Sequence, residues 1–171
     1  HQNAHSDNLM LKIHDFSKAR ILEIGKNDKI FGQDPSLFNH FSSPEILMKS
    51  EYNHTTDVWS IGVVCYILIS GTFPFCASSL PRLLEKVTAK NFKFDSYRWN
   101  LISESSKDFL SKTFEPNKNL RITAEEALLH SWFYEECTMD SNSKVLIKSK
   151  HCIELKKKLC NSIISLDDRS K

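Results

Sequence analysis

Thr55-Thr56-Asp57-Val58-Trp59-Ser60-Ile61-Gly62-Val63-Val64-Cys65-Tyr66-Ile67-Leu68-Ile69-Ser70-Gly71 decides the fold. A charged start, a long apolar middle and a glycine stop together predict a buried helix. Thr56 or Asp57 is expected to cap its first turn by accepting orphan backbone N–H groups, and Gly71, with Pro74 close behind, to end it. Ile61 to Ile69 is apolar on every face, so a soluble chain must wrap this helix completely. A membrane span needs roughly 18 or more such residues. This shorter run is expected to be a central post. Asp57 at its head requires partners, because a buried charge persists only where donors or a cation satisfy it.

The chain has 171 residues, 40% of them hydrophobic and 26% charged. That composition predicts one core of ordinary size plus a tail. A net charge of +2 is too small to argue for a nucleic-acid surface, and no DNA- or RNA-binding motif occurs. Neither nucleic acid nor membrane is an expected partner. The five cysteines are Cys65, Cys76, Cys137, Cys152 and Cys160, odd in number, without a CxxC pair or a secretory leader. They predict a reducing, intracellular setting, the cytoplasm in the first instance. Seven histidines show no HExxH or mixed His/Cys ligand spacing, so no zinc site is expected. A first residue that is not Met fits an excised or partial product.

Downstream of the post, Leu80 to Lys90 reads as an amphipathic helix with Leu83, Leu84 and Val87 on one side. Ser103 is placed to cap a second helix, Glu104 to Phe114, in which Phe109, Leu110 and Phe114 follow the helical period before Pro116 stops it. Thr123 and Glu126 form a capping box, each satisfying the other's orphan N–H.

Several of these stretches resemble eukaryotic protein kinases. Asp57-Val58-Trp59-Ser60-Ile61-Gly62, followed by Leu68-Ile69-Ser70-Gly71-Thr72-Phe73-Pro74-Phe75, resembles the family's central helix, whose matching Asp holds the backbone of the catalytic loop. Arg121-Ile122-Thr123-Ala124-Glu125-Glu126-Ala127-Leu128-Leu129-His130-Ser131-Trp132-Phe133 is similar to Arg-x-Thr-Ala-x-x-Ala-x-x-His-Pro-Trp-Phe, with Ser131 in place of Pro. Phe41-Ser42-Ser43-Pro44-Glu45 resembles Tyr-x-Ala-Pro-Glu. In the family the Arg matching Arg121 pairs with the Glu matching Glu45, tying the activation segment to the helical base; otherwise these are two unrelated surface charges. The string from Trp99 to Phe114 resembles the calcium/calmodulin-dependent group, especially calcium-dependent protein kinases.

Leu9 to Ser17 is a short apolar alternation ending in Asp-Phe-small. It resembles the strand that delivers the Asp-Phe-Gly magnesium ligand, which implies Asp15 as the chelating carboxylate, with Ser17 where glycine is usual. Set against His-Arg-Asp-Leu-Lys-Pro-Glu-Asn, the first eight residues put His1 at the His, Asp7 at the Glu and Asn8 at the second metal ligand. Gln2 then stands for Arg, Asn3 for the catalytic Asp and His5 for Lys. A carboxamide cannot accept the substrate hydroxyl proton at neutral pH, so a loop with Asn3 lacks its base. Chance likeness is the alternative. Asp15 follows Asn8 by seven positions, about six fewer than the family uses. A deleted hairpin, skipped residues or a true loop upstream of His1 would each account for that.

From Asp15 to Glu45 the chain is polar, with Gly25, Gly32 and Pro35 and no sustained period, as in a long surface loop. By resemblance it is the activation segment, with Asp34, Ser36 and Phe41 at its marked positions. Leu37-Phe38 replaces the Gly-Thr whose hydroxyl touches the catalytic Asp and Lys in the family. Asp34 falls where many kinases carry the activating phosphate. It either imitates part of that charge or is a solvated loop aspartate, and the usual cationic partner position is Gln2.

The expected organisation is a partial kinase domain over residues 1–133, a polar linker over 134–143 and a basic amphipathic helical tail over 144–171. In the tail Val145, Cys152, Leu159 and Ile163 share a face among lysines. This predicts either a segment for calmodulin or for the protein's own regulatory domain, over 144–166, or a helix packed on its own lobe. The fold class is mainly α, a kinase C-terminal lobe lacking the N-terminal lobe, plus a C-terminal helix. No Gly-rich loop, strand lysine or partner glutamate helix occurs in the sequence. The resemblance implies ATP and Mg2+ as cofactors and a protein substrate. It also implies that this chain alone binds the nucleotide loosely and transfers phosphate poorly. The expected function is therefore that of a fragment of a Ser/Thr kinase, or alternatively of a pseudokinase that binds protein partners.

Overall fold

The computed structural model describes residues 12–22, 28–29 and 39–134, and the structural statements below concern those residues. These described residues fall in two compact units, one holding those up to Ala19 and from Leu128 onward, the other those from Arg20 to Ala127. The expected catalytic loop (1–8), Asp34, Ser36 and Leu37-Phe38, and the tail helix all lie outside the described residues.

The larger unit is mainly helical, as expected. Its elements are β1 (Asp28–Lys29), α1 (Pro44–Leu47), β2 (Glu51–Tyr52), α2 (Thr55–Ser70), α3 (Leu80–Thr88), α4 (Glu104–Thr113) and α5 (Ala124–Leu128), which runs one residue into the smaller unit. Single 3₁₀ turns at Asn39–Phe41 and Tyr97–Leu101 complete it. β1 and β2 pair antiparallel, Asp28 opposite Tyr52 and Lys29 opposite Glu51. This pairing is not legible in the sequence, because two-residue strands carry no readable alternation.

α2 is the predicted post, and Gly71 ends it as expected. Gly71 has φ 76°, a left-handed conformation open to glycine at little cost, and its N–H reaches the Ile67 carbonyl at 2.7 Å. Arg98 Nη1 donates to the Ser70 carbonyl at 2.7 Å, placing a cation at the negative end of the helix. Two expectations for α2 need correction. Neither Thr56 nor Asp57 caps it; Asn53 Oδ1 accepts from the Thr55 amide at 3.0 Å and from its hydroxyl at 2.6 Å, an Asx turn just ahead of the helix. Nor is the helix wrapped on every side, since Val64 and Leu68 remain 39% and 73% exposed.

The core of this unit is aromatic. Trp59 stacks on Phe75 with ring centroids 5.4 Å apart and meets Phe114 edge-on at 5.4 Å. Tyr66 packs on Trp99 at 4.8 Å and closes its hydroxyl onto the Lys93 carbonyl at 2.6 Å. Phe92 and Phe94 join this cluster while Lys93 between them is exposed. At Gly62 the absent side chain lets α4 approach α2: a Cβ there would fall on Thr113 Oγ1 and lie 3.1 Å from Phe114 Cε1.

α3 buries Leu83 and Val87 and ends two residues before the expected Lys90. α4 ends one residue early, with Phe114 as its cap; Ser103 Oγ accepts from the Ser106 amide at 3.3 Å. The capping box ahead of α5 is present, with Glu126 N–H donating to Thr123 Oγ1 at 3.2 Å and Thr123 N–H to Glu126 Oε2 at 2.9 Å.

In the smaller unit a 3₁₀ turn, Phe16–Lys18, follows Asp15, and another spans Ser131–Phe133. His130 Nδ1 accepts from the Trp132 amide at 3.2 Å. The expected strand leading to Asp15 is not found over residues 12–15, which are irregular, and Asp15 itself takes a left-handed φ of 62°. No helix among the described residues is long and apolar enough to cross a membrane.

Candidate functional site

The best-defined constellation joins three places distant in sequence. Pro44 at the first position of α1 suits a fixed φ, and it is followed by Glu45, which is only 4% exposed. Arg121, at the end of the Asn117–Arg121 turn, is 2% exposed. The two meet side by side, Arg121 Nη1 on Glu45 Oε1 at 2.7 Å and Nη2 on Oε2 at 2.9 Å. Arg121 spends its other donors on carbonyls: Nε on Glu115 at 2.9 Å, Nη1 on Thr55 at 3.1 Å and Nη2 on Pro116 at 3.4 Å. The guanidinium also lies over the Trp59 ring, 5.0 Å from its centroid. A planar fork with a delocalised charge is the side chain that can satisfy so many acceptors in a buried place.

Thr56 completes the arrangement by donating its hydroxyl to Glu45 Oε1 at 2.8 Å. Burial alone pushes the Glu45 carboxyl up. The hydrogen bonds and charge of Arg121, a backbone donor and the Thr56 hydroxyl outweigh it and hold the carboxyl below its ordinary range. One turn further along α2, Ser60 Oγ donates to the Phe41 carbonyl at 3.1 Å. Phe41 packs edge-on to Phe73 with centroids 5.4 Å apart, and His40 tilts against the same ring at 5.0 Å. The segment from Phe41 to Glu45 is thus fastened to the head of α2 and to the turn before α5.

Of the residues singled out in the sequence, the structure brings together Glu45 and Arg121, with Phe41 nearby through α2. Asp57 is exposed at the head of α2, and among the described residues no hydrogen bond reaches its carboxylate. The protein around it still pushes that carboxyl above its ordinary range, against the opposing charge of His54. With solvent on the side chain, the shift carries no weight in stability. The loop that Asp57 was expected to hold lies outside the described residues. Asp15 is exposed, and its Oδ1 accepts from the Ser17 hydroxyl at 2.6 Å and the Ser17 amide at 3.4 Å. Asn3, His5, Asn8, Asp34 and Ser36 lie outside the description.

A magnesium ion needs several oxygen ligands in near-octahedral geometry. Among the described residues no three His, Cys, Asp or Glu side chains gather into a metal-holding group. Asp15 brings one carboxylate, with one oxygen engaged by Ser17, and the second expected ligand, Asn8, lies outside the described residues. Sequence reasoning missed Asn53, Thr56, Trp59 and Ser60 as members of the constellation. The Thr and Ser were visible four apart, on one helix face, but nothing local indicated what that face would meet.

The comparisons with known proteins follow the same residues. The smooth-muscle myosin light chain kinase of Gallus gallus is 33% identical over 140 residues, which cover 82% of this chain and 7% of that protein. Myosin light chain kinase A of Dictyostelium discoideum is 30% identical over 174 residues, covering 96% and 57%. Calcium/calmodulin-dependent protein kinase type 1B of Rattus norvegicus is 37% identical over 100 residues, covering 58% and 29%. The chain therefore spans between 7% and 57% of the length of these relatives. The family model for the protein kinase domain matches residues 2–133, which take in Phe41–Glu45, the whole of α2 and Arg121. The chain belongs to the protein kinase domain family.

Proposed function

We propose that this chain is the substrate-side, helical part of a Ser/Thr protein kinase of the calcium/calmodulin-dependent type, incomplete as a catalyst by itself. The observation that carries the reading is the buried, two-pronged Glu45–Arg121 pair. It anchors the end of the segment that, by resemblance, faces the protein substrate, and it joins residues that the resemblance had already coupled. Residues 1–133 form the kinase portion, 134–143 a linker and 144–171 a basic tail. The reaction of the intact protein is phosphoryl transfer from Mg-ATP to a protein hydroxyl in a reducing, cytoplasmic setting. Such transfer depends on positioning and charge stabilisation from both sides of the nucleotide. The sequence supplies one side, with Asn3 where the base belongs.

Asn3, Ser17 and Leu37-Phe38 favour a second reading, a pseudokinase that binds protein partners without catalysis. A full-length transcript separates the two. An upstream Gly-rich loop and His-Arg-Asp support the enzyme, and transcription beginning near His1 supports the binding module. The names of the relatives motivate calmodulin as a partner for residues 144–166. A peptide of residues 141–168 titrated into calcium-loaded calmodulin is expected to bind at tens of micromolar or tighter and to let go when calcium is chelated. Absence of binding leaves the tail as lobe packing.

A further inference from the structure

Thr56 and Ser60 are four residues apart in α2, so their hydroxyls leave the helix from one face. Both cross to the same piece of chain: Thr56 Oγ1 to the Glu45 carboxylate at 2.8 Å and Ser60 Oγ to the Phe41 carbonyl at 3.1 Å. These two acceptors bound the segment Phe41–Glu45. Between them Ser43 is fully buried, yet its hydroxyl has no hydrogen-bond partner, so it adds nothing directional. α1, which follows, is a single turn of four residues and is too short to impose a conformation by itself. Arg121 secures only the Glu45 end. Ser60 also has a local alternative, the Thr56 carbonyl at 3.4 Å, and the shorter bond goes to Phe41.

We infer that the Thr56 and Ser60 hydroxyls act as a two-point clamp that sets the conformation of Phe41–Glu45, and with it the face offered to a protein substrate. The first half rests on the geometry alone; the clause on substrate rests on the kinase reading above. Thr56 and Ser60 are positioning residues here, acting through Glu45 and Phe41.

The test uses the full chain and amide hydrogen exchange. The reporters are the N–H groups of Ile46, Leu47, Met48 and Ser50, which donate to the Ser43, Pro44 and Glu45 carbonyls. The variants are Thr56→Val, Ser60→Ala and their combination. Each single change is expected to speed exchange at these four amides by about tenfold, the effect of losing one net hydrogen bond, and the combination by roughly the product. The amides of α4 serve as an internal reference and stay unchanged. Thr56→Ser and Ser60→Thr restore the slow rate. Unaltered exchange at the four amides in the combined variant overturns the inference. So does an equal rise in α4, which would make the hydroxyls general supports of the fold. The measurement contains neither nucleotide nor substrate, so it succeeds or fails separately from the kinase reading.

Discussion

Replacing Arg121 by Ala removes a side chain that is 0% exposed from its partner Glu45, whose side chain is 5% exposed. Glu45 would be left with the Thr56 hydroxyl as its remaining side-chain donor, and the Glu115, Pro116 and Thr55 carbonyls would each lose a partner. Breaking a buried pair by taking one member costs ~3–5 kcal/mol, because the other charge is stranded. A domain of this size holds about 5–15 kcal/mol in total, so Arg121→Ala is expected to remain folded but to unfold at much lower denaturant. Urea melts followed by tryptophan emission suit the question, since Trp59 lies beneath the guanidinium. The double variant Glu45→Leu/Arg121→Met is expected to recover most of the loss, because apolar groups leave no orphan charge. A loss below about 1 kcal/mol for Arg121→Ala, as for an exposed pair, would refute the reasoning.

Two further outcomes follow from the same packing and charge. Gly62→Ala would ordinarily favour a helix by up to ~1 kcal/mol, but here the new methyl falls on buried Thr113, and overpacking of about 1–3 kcal/mol wins. A thermal melt showing stabilisation would contradict the close approach of α2 and α4. Acid sensitivity follows from the depressed Glu45 carboxyl. Its contribution is fully present above the ordinary glutamate value of 4.5 and is lost as pH falls through the lower folded value. The stability gap between the wild type and Glu45→Gln should therefore shrink between about pH 6 and about pH 3, as read by denaturant midpoints. A constant gap would mean that the carboxylate charge is not what matters.

Local rules made much of the larger unit legible. The Gly71 stop and the Thr123–Glu126 capping box are decided within a few residues, so the sequence displays both members of each interaction. Glu45 and Arg121 stand 76 positions apart, and only the resemblance to a family joined them in advance. The cap on α2 differs from expectation because several nearby residues compete for it. Thr55, Thr56 and Asp57 all suit a cap, but Asn53 closes an Asx turn first, and Thr56 is drawn to Glu45 instead. Apolar character around the whole of α2 could not reveal that Val64 and Leu68 remain exposed, since hydropathy reports what a residue prefers and not what is there to cover it. Over residues 12–15 the strand expected before Asp15 gives way to irregular chain, where Asp15 and Ser17 hydrogen-bond locally.

Calorimetric titration of Mg-ATP into the chain of residues 1–171 tests the central claim most directly. The claim is that this is one side of a kinase nucleotide site, with neither the Gly-rich loop nor the strand lysine in its sequence, and with Asp15 as the one carboxylate among the described residues that the resemblance assigns to metal. The account predicts no heat of binding at micromolar nucleotide. A well-formed isotherm with a micromolar dissociation constant would show that the chain completes a nucleotide site by itself, and would contradict it.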